Sequence, residues 1–331
     1  MFGELPKIFD RNFAVNYFLP VTAFIAMSYF LLRFYGLAPA FTQSLSQDFL
    51  KGAITLSLYS YFGGVLLLVL NGDLYSFLSG YGKFNPFKLF QKFEITRYQK
   101  MLTEIEKLDS EYISCINTNR EFPEKSRIKR NHIMESIAVQ FPDKERFILP
   151  TPFGNIVRAV EIYSRRTYGI EYVGGWSRML TVIPADYRNL IEASKSQVDF
   201  WINIYLLSVC FLGEVIIIWH ITHLSYLLGF MILIILFASL LLIRAQSAAL
   251  SWGDYVSSAF DVYRFKLLDL MGIARPKSRK EEIHIWTSFS QAIVYRLPDL
   301  MPDYAPLEDE PSRKKKNGSR SIKKANRGVS R

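Results

Sequence analysis

Five groups of residues in this chain have a type and spacing that chemistry could use. Glu214 stands mid-way along the apolar run 201–219. A carboxyl inside hydrocarbon is costly, so it must turn toward a neighbouring helix, water or a partner. Two readings are open: an ion or proton pathway, or a protonated, hydrogen-bonded side chain that fixes helix packing. Asp254 and Asp261 lie seven residues apart and share a helical face. In an oligomer that face forms a ring of carboxylates beside a cation path. The alternatives are that Asp261 pairs with Arg264, or that Arg264 pairs with an acid of the polar insert, residues 86–195. Arg158 and Glu161 follow Pro152 and Asn155 at a helix start, where free amide groups can bind an anion. The plainer version is an i,i+3 ion pair, with Tyr163 and Trp176 as packing. His220 and His223 share a face, but no third ligand stands in their loop and Cys210 is about two turns too deep. They read as interfacial histidines beside Trp219, and no metal or cofactor is expected. Arg313, Lys314, Lys315 and Lys316 open a basic tail suited to anionic lipid, or simply to water.

There is no G-x-S-x-G, H-E-x-x-H, Gly-Lys-Ser phosphate loop or Cys-x-x-Cys. Gly63-Gly64 lies inside an apolar segment, where it suits close helix approach rather than phosphate. The two cysteines, Cys115 and Cys210, fall in a polar and an apolar region and form no framework. A lipid-acting enzyme built on Asn71, Asp73, Arg158 and Glu161 ranks last, since no nucleophile–base pair supports it.

The elements that must position these residues are legible from the hydropathy pattern. Half of the 331 residues are hydrophobic, and 15% are aromatic, yet two regions are plainly polar. The apolar residues therefore concentrate in blocks, as in a polytopic membrane protein. Four runs are each about the ~20 residues needed to cross hydrocarbon: 13–32, 52–70, 201–219 and 227–243. Ala38-Pro39-Ala40 mimics a cleavage site, but the first run is longer than a signal-peptide core, with acids ahead of it at Glu4 and Asp10. The spacing predicts that the fourth run continues past the membrane as an amphipathic helix to about residue 271, carrying Asp254 and Asp261. Residues 86–195 form a polar insert with helices expected near 90–112, 124–139 and 154–166, and Pro184 starts a helix that joins the third run. A further helix is expected over 281–296. The fold class is all-α: two transmembrane hairpins (residues 1–85 and 196–273) flanking a helical cytoplasmic insert, then a C-terminal helix (274–298), an acidic, proline-bearing linker and a basic tail.

Charge orients this layout. The formal net charge is +10, and nine of those charges belong to residues 312–331. The body is nearly neutral, which argues against nucleic acid as a partner. The loops at 34–51 and 220–225 are poor in Lys and Arg, whereas the insert and tail are rich in them. By the positive-inside rule both termini and the insert are cytoplasmic.

Three stretches carry a resemblance. Asp10-Arg11-x-Phe13 precedes Tyr17-Phe18-Leu19-Pro20. Pro150-Thr151-x-x-Gly154-Asn155-Ile156-x-Arg158-Ala159-x-Glu161-x-Tyr163 leads to Tyr168-Gly169. Phe260-Asp261-x-Tyr263-Arg264-x-x-Leu267-Leu268 is followed by Glu282 and Trp286. The set resembles an uncharacterised bacterial family of four-helix integral membrane proteins. The resemblance implies the four-span topology and a bacterial plasma membrane, and it implies no chemistry. The function expected from the residues is a homo-oligomeric membrane conduit or gated effector with Glu214 as its intramembrane polar element. The alternative is a membrane anchor that recruits a cytoplasmic protein. Membrane lipid is a partner in either case.

Overall fold

The computed structural model describes residues 11–46 and 48–304. Among them no strand forms; Ile273 and Tyr304 make an isolated antiparallel bridge. The order is α1 (Arg11–Phe13), a π-helical turn (Ala14–Phe18), α2 (Leu19–Phe34), α3 (Pro39–Leu45), α4 (Phe49–Leu78), α5 (Gln91–Asn117), α6 (Glu124–Gln140), α7 (Pro152–Tyr168), α8 (Tyr172–Met179), α9 (Ala185–Thr222), α10 (Tyr226–Met271) and α11 (Arg279–Tyr295). Four helices are long and apolar enough to cross a membrane: the continuous Arg11–Phe34, then α4, α9 and α10.

The long helices run where the sequence offers nothing to stop them. α9 starts directly after Pro184 and ends at His223, which takes the left-handed conformation (φ 52°). α10 contains no proline and stops at Gly272 (φ 68°), where a left-handed residue costs least. At 1.5 Å per residue these helices are about 57 and 69 Å long, roughly twice the hydrocarbon thickness. The joining of the 184–195 helix to the third apolar run, and the extension of the fourth run to 271, both appear as the spacing predicts.

Two layers of contacts set the four helices in register. At one end Phe211, Val215, Ile218, Leu227 and Ile234 pack with Phe24, Leu31 and Tyr35, and the Tyr35 and Tyr226 hydroxyls share a 2.7 Å hydrogen bond. At the other, Val198 and Ile202 pack with Ala245, Ala248 and Ala249, under Leu78 and Phe153. The first span meets α4 at a glycine step. A Cβ on Gly64 would lie 3.1 Å from the Phe13 ring and 3.3 Å from the Phe18 amide nitrogen, so only a small residue allows that approach.

Beyond the second layer, α7, α8, α11 and the last six turns of α10 bury Trp286, Phe289, Phe260, Leu267, Leu268, Ile170 and Met179 in one core. α7 is tied to the end of α4 by its first residues. Thr151 Oγ1 accepts from the Gly154 amide (2.9 Å) and donates to the Leu78 carbonyl (2.7 Å). A Cβ on Gly154 would fall 2.5 Å from the Ser79 carbonyl oxygen. The Pro-Thr-x-x-Gly-Asn pattern is thus a joint between a long apolar helix and the polar segment.

One expectation needs correction. The second span, expected at 52–70, does not end its helix there: α4 runs on past Asn71 and Asp73 to Leu78, and Asn71 finds partners inside the fold, described below. After the first span Ala38 takes a left-handed turn and Pro39 opens the short α3. The basic tail, with Arg313, Lys314, Lys315 and Lys316, lies outside the described residues.

Candidate functional site

The richest polar cluster lies where the apolar stretches of three helices end together. Asp199 on α9 is buried, with 6% of its surface exposed. Its Oδ1 accepts from the Tyr75 hydroxyl at 2.7 Å, from Lys195 Nζ at 3.1 Å and from Asn71 Nδ2 at 3.3 Å. Its Oδ2 accepts from Lys195 Nζ at 3.0 Å and from the Tyr17 hydroxyl at 3.3 Å. One carboxylate therefore gathers donors from the first span, α4 and α9. The Lys195 ammonium also lies 5.3 Å from the centre of the Tyr75 ring, an attractive cation–π placement.

Local sequence explains why the first span can reach this cluster. Pro20 has no N–H to give to the Asn16 carbonyl four residues back, and the helix widens there into a π turn, with the Leu19 amide reaching the Ala14 carbonyl. Asn203 Nδ2 donates to the Asn16 carbonyl at 2.9 Å, and Asn16 Nδ2 donates to Ser196 Oγ. Single π turns recur at functional sites because they re-aim side chains. Here the turn aims Asn16 and Tyr17 at α9.

A separate polar contact lies toward the far end of the same helix pair. Ser28 Oγ donates to Glu214 Oε1 at 3.0 Å, while Glu214 Oε2 is buried without a hydrogen-bond partner. Ser196, Asn203 and Glu214 are spaced seven and eleven residues apart, which keeps them near one face of α9. Asn203 to Glu214 spans about 17 Å of helix axis. The result is a seam between the first span and α9 with polar groups at its two ends, buried Asp199 at one and half-buried Glu214 at the other, and with Val21, Ile25, Leu206 and Leu207 packed between them.

Next to Asp199 a cavity of about 530 Å³ opens on the polar side of the seam. Asn12, Asn16, Arg188, Lys195, Trp176 and Trp252 are among the residues that line it. Tyr172 also faces it, and burial, reinforced by the Glu161 charge, pushes that phenol well above its ordinary range. It therefore stays protonated at neutral pH.

The other sequence candidates fall elsewhere. Asp261 accepts from the Tyr163 hydroxyl (2.9 Å) and the Tyr168 hydroxyl (2.7 Å). Arg264 Nε donates to Glu282 of α11 at 2.6 Å, an acid outside the 86–195 segment. Asp254 is exposed at the rim of a cavity of about 550 Å³ that Asp261, Glu135, Asp143 and Arg166 also line. Arg158 donates to Glu161 at 3.0 Å. The helix start beside them is capped by Thr151 and packed on the Ser79 carbonyl, an acceptor rather than an anion partner. Asn71 joins Asp199 and not Arg158 or Glu161, so the four groups of the enzyme reading are not brought together. The His220 and His223 rings are 6.1 Å apart, and among the described residues no cluster of three metal-ligating side chains occurs.

A second buried carboxyl supports the α5–α7 joint. Glu94 Oε2 accepts from Asn155 Nδ2 (3.0 Å) and Arg97 Nη1 (3.2 Å). Burial raises its pKa above the ordinary carboxylate value, and Arg97 and Asn155 only partly offset this. The folded chain thus holds this proton to higher pH than the unfolded chain. The site weakens folding as pH rises from the ordinary carboxylate value through the raised one, and leaves folding unaffected below both. Glu94→Gln is expected to flatten that part of the stability–pH curve and to cost little at neutral pH. Thermal unfolding in detergent between pH 4 and 8 (about the range in which carboxyls titrate) checks it; an unaltered slope overturns it.

No protein-family model, curated protein or solved structure matches the chain.

Proposed function

We propose that the four long helices cross a bacterial plasma membrane as two hairpins, with residues 86–195, the extension of α10, α11 and both chain ends on the cytoplasmic side, and that the chain conducts protons or small cations along the seam between the first span and α9. The observation that carries this reading is the seam itself. Two carboxyls, Asp199 and Glu214, stand at its ends, and the inner one keeps an unpartnered oxygen in surroundings where a polar atom without a partner is costly. The cavity beside Asp199 supplies the cytoplasmic mouth, and the positive-inside rule supports the orientation. Self-association belongs to the same reading: the chain forms a homo-oligomer in which the cytoplasmic helices gate each seam.

Glu214→Gln is expected to lower proton or cation flux into liposomes at least tenfold while leaving the oligomeric mass in nanodiscs unchanged. Equal flux at equal protein density removes Glu214 from the pathway. A second reading, a membrane anchor for a cytoplasmic protein, is favoured by one feature. The α5–α6 arm leaves Tyr112, Ile113, Ile116 and Ile128 exposed. A stoichiometric partner lost on deleting residues 91–140, with no flux under any gradient, selects it.

A further inference from the structure

A few residues past the end of α4 the chain presents apolar side chains that the fold does not cover. Phe84 is 96% exposed, Leu89 85%, Phe93 68% and Phe90 56%. The backbone beneath them is nevertheless pinned. Gly80 and Gly82 take left-handed conformations (φ 87° and 97°) that turn the chain back on itself. Asn85 Nδ2 then donates to the Phe77 carbonyl (2.7 Å) and the Tyr81 carbonyl (2.9 Å), and Asn85 Oδ1 accepts from the Phe87 amide. Phe87 turns inward, edge-on to Phe77 at 5.4 Å. The segment is held beside the last turns of α4 rather than beyond them, with one phenylalanine inside and the rest outside.

We propose that residues 84–93 form a ledge lying in the headgroup layer of the membrane, on the side where the Asp199 cluster stands. Its aromatic and leucine side chains reach the acyl boundary, and Lys88 and Lys92 meet anionic lipid headgroups. This rests on the reading that α4 crosses the membrane. α4 has 30 residues, about 45 Å, which matches a bilayer of ~40–45 Å with its headgroups. Its last turn therefore lies in the headgroup layer, and Asn85 fixes the ledge at the level of that turn. Exposed Phe77 and Tyr81 continue the apolar flank of α4 into the ledge without a gap. Lys88 and Lys92 stand exposed among the apolar groups. Lysine is depleted from the centres of protein–protein contacts and enriched where amphipathic segments lie on anionic bilayers, so the composition favours lipid over a second copy of the chain.

The test places single spin labels at Leu89, Phe90 and Phe93 in a chain carrying Cys115→Ser and Cys210→Ser. The protein is reconstituted in phosphatidylcholine vesicles containing phosphatidylglycerol. Label mobility and collision rates with oxygen and with a water-soluble nickel chelate are read. At the ledge, oxygen is expected to exceed nickel several-fold relative to a reference label at Lys100, which is exposed on the same helix. Nickel-dominated collisions overturn the proposal, and so does an immobile label shielded from both reagents, which is what a second chain would produce. A control label at exposed Val69 of α4 separates the two readings. Aqueous behaviour there defeats the membrane span itself, whereas lipid behaviour at Val69 with aqueous behaviour at Phe90 defeats the ledge alone. K88E/K92E is expected to shift the Leu89 label several-fold toward nickel in anionic vesicles only; no shift overturns the lysine contacts.

Discussion

Asp199→Ala is expected to destabilise the protein by about 3 kcal/mol, the low end for breaking a buried ion pair. The change leaves four donors facing one another. The Tyr17 and Tyr75 hydroxyls, Asn71 Nδ2 and Lys195 Nζ all converge on that carboxylate. The loss stays at the low end because the Lys195 side chain is 44% exposed and can turn to water. The reverse change, Lys195→Met, is expected to cost less, since Asp199 keeps three neutral donors. The double variant recovers part of the Asp199→Ala loss, because it removes the stranded ammonium along with its partner. Unfolding in mixed micelles, followed by tyrosine and tryptophan fluorescence, measures all three. A loss below about 1 kcal/mol for Asp199→Ala, the range of exposed ion pairs, shows that water satisfies the cluster and that it does not hold the first span to α9.

Most of the architecture was legible because it rests on long-range composition. A run of about twenty apolar residues announces a span, and the absence of proline across residues 227–271 predicts that the fourth helix continues. Glu214 was legible for the same reason: a charge inside an apolar run stands out by itself. The Asp199 cluster was not, because its members come from residues 17, 71, 75, 195 and 199, and no local pattern links them. One signal was available. Ser196, Asp199 and Asn203 repeat at three- and four-residue spacing where α9 turns apolar, which is a polar stripe on a helix about to enter a membrane. Pro20 carried the complementary signal, since a proline in a span frees a carbonyl that some side chain must meet. The Arg264 partner was illegible from spacing: Glu282 lies on a separate helix, beyond the turn at Gly272, and only packing brings the two together.

That pair yields the second large effect. Arg264 is 15% exposed and Glu282 9%. The guanidinium donates through Nε to Glu282 at 2.6 Å, donates through Nη1 to the Asp261 carbonyl, and stacks 4.2 Å from the Tyr168 ring centre and 4.3 Å from that of Phe265. Asp261 in turn accepts from Tyr163 and Tyr168, whose phenols are raised above their ordinary range by burial first and by Asp261 second. They remain protonated donors throughout the neutral range. A flat, multidentate cation between two rings cannot be replaced by an ammonium, so Arg264→Lys is expected to fail nearly as badly as Arg264→Ala. Arg264→Ala and Glu282→Ala each strand a buried charge and cost about 3–5 kcal/mol. The loss falls on α11, which is otherwise held by Trp286, Phe289 and the Ser290 bonds to Glu171 and Gly169. Trypsin cleavage at Arg279 and Lys280, at the start of α11, reads the opening of that helix. When opening precedes cleavage, 3–5 kcal/mol corresponds to cleavage about a hundredfold faster or more. Cleavage at Lys83, ahead of the ledge, serves as the internal reference and should stay unchanged. Unchanged rates at both places show that the hydrophobic core alone retains α11 and that the Arg264–Glu282 pair adds nothing to it.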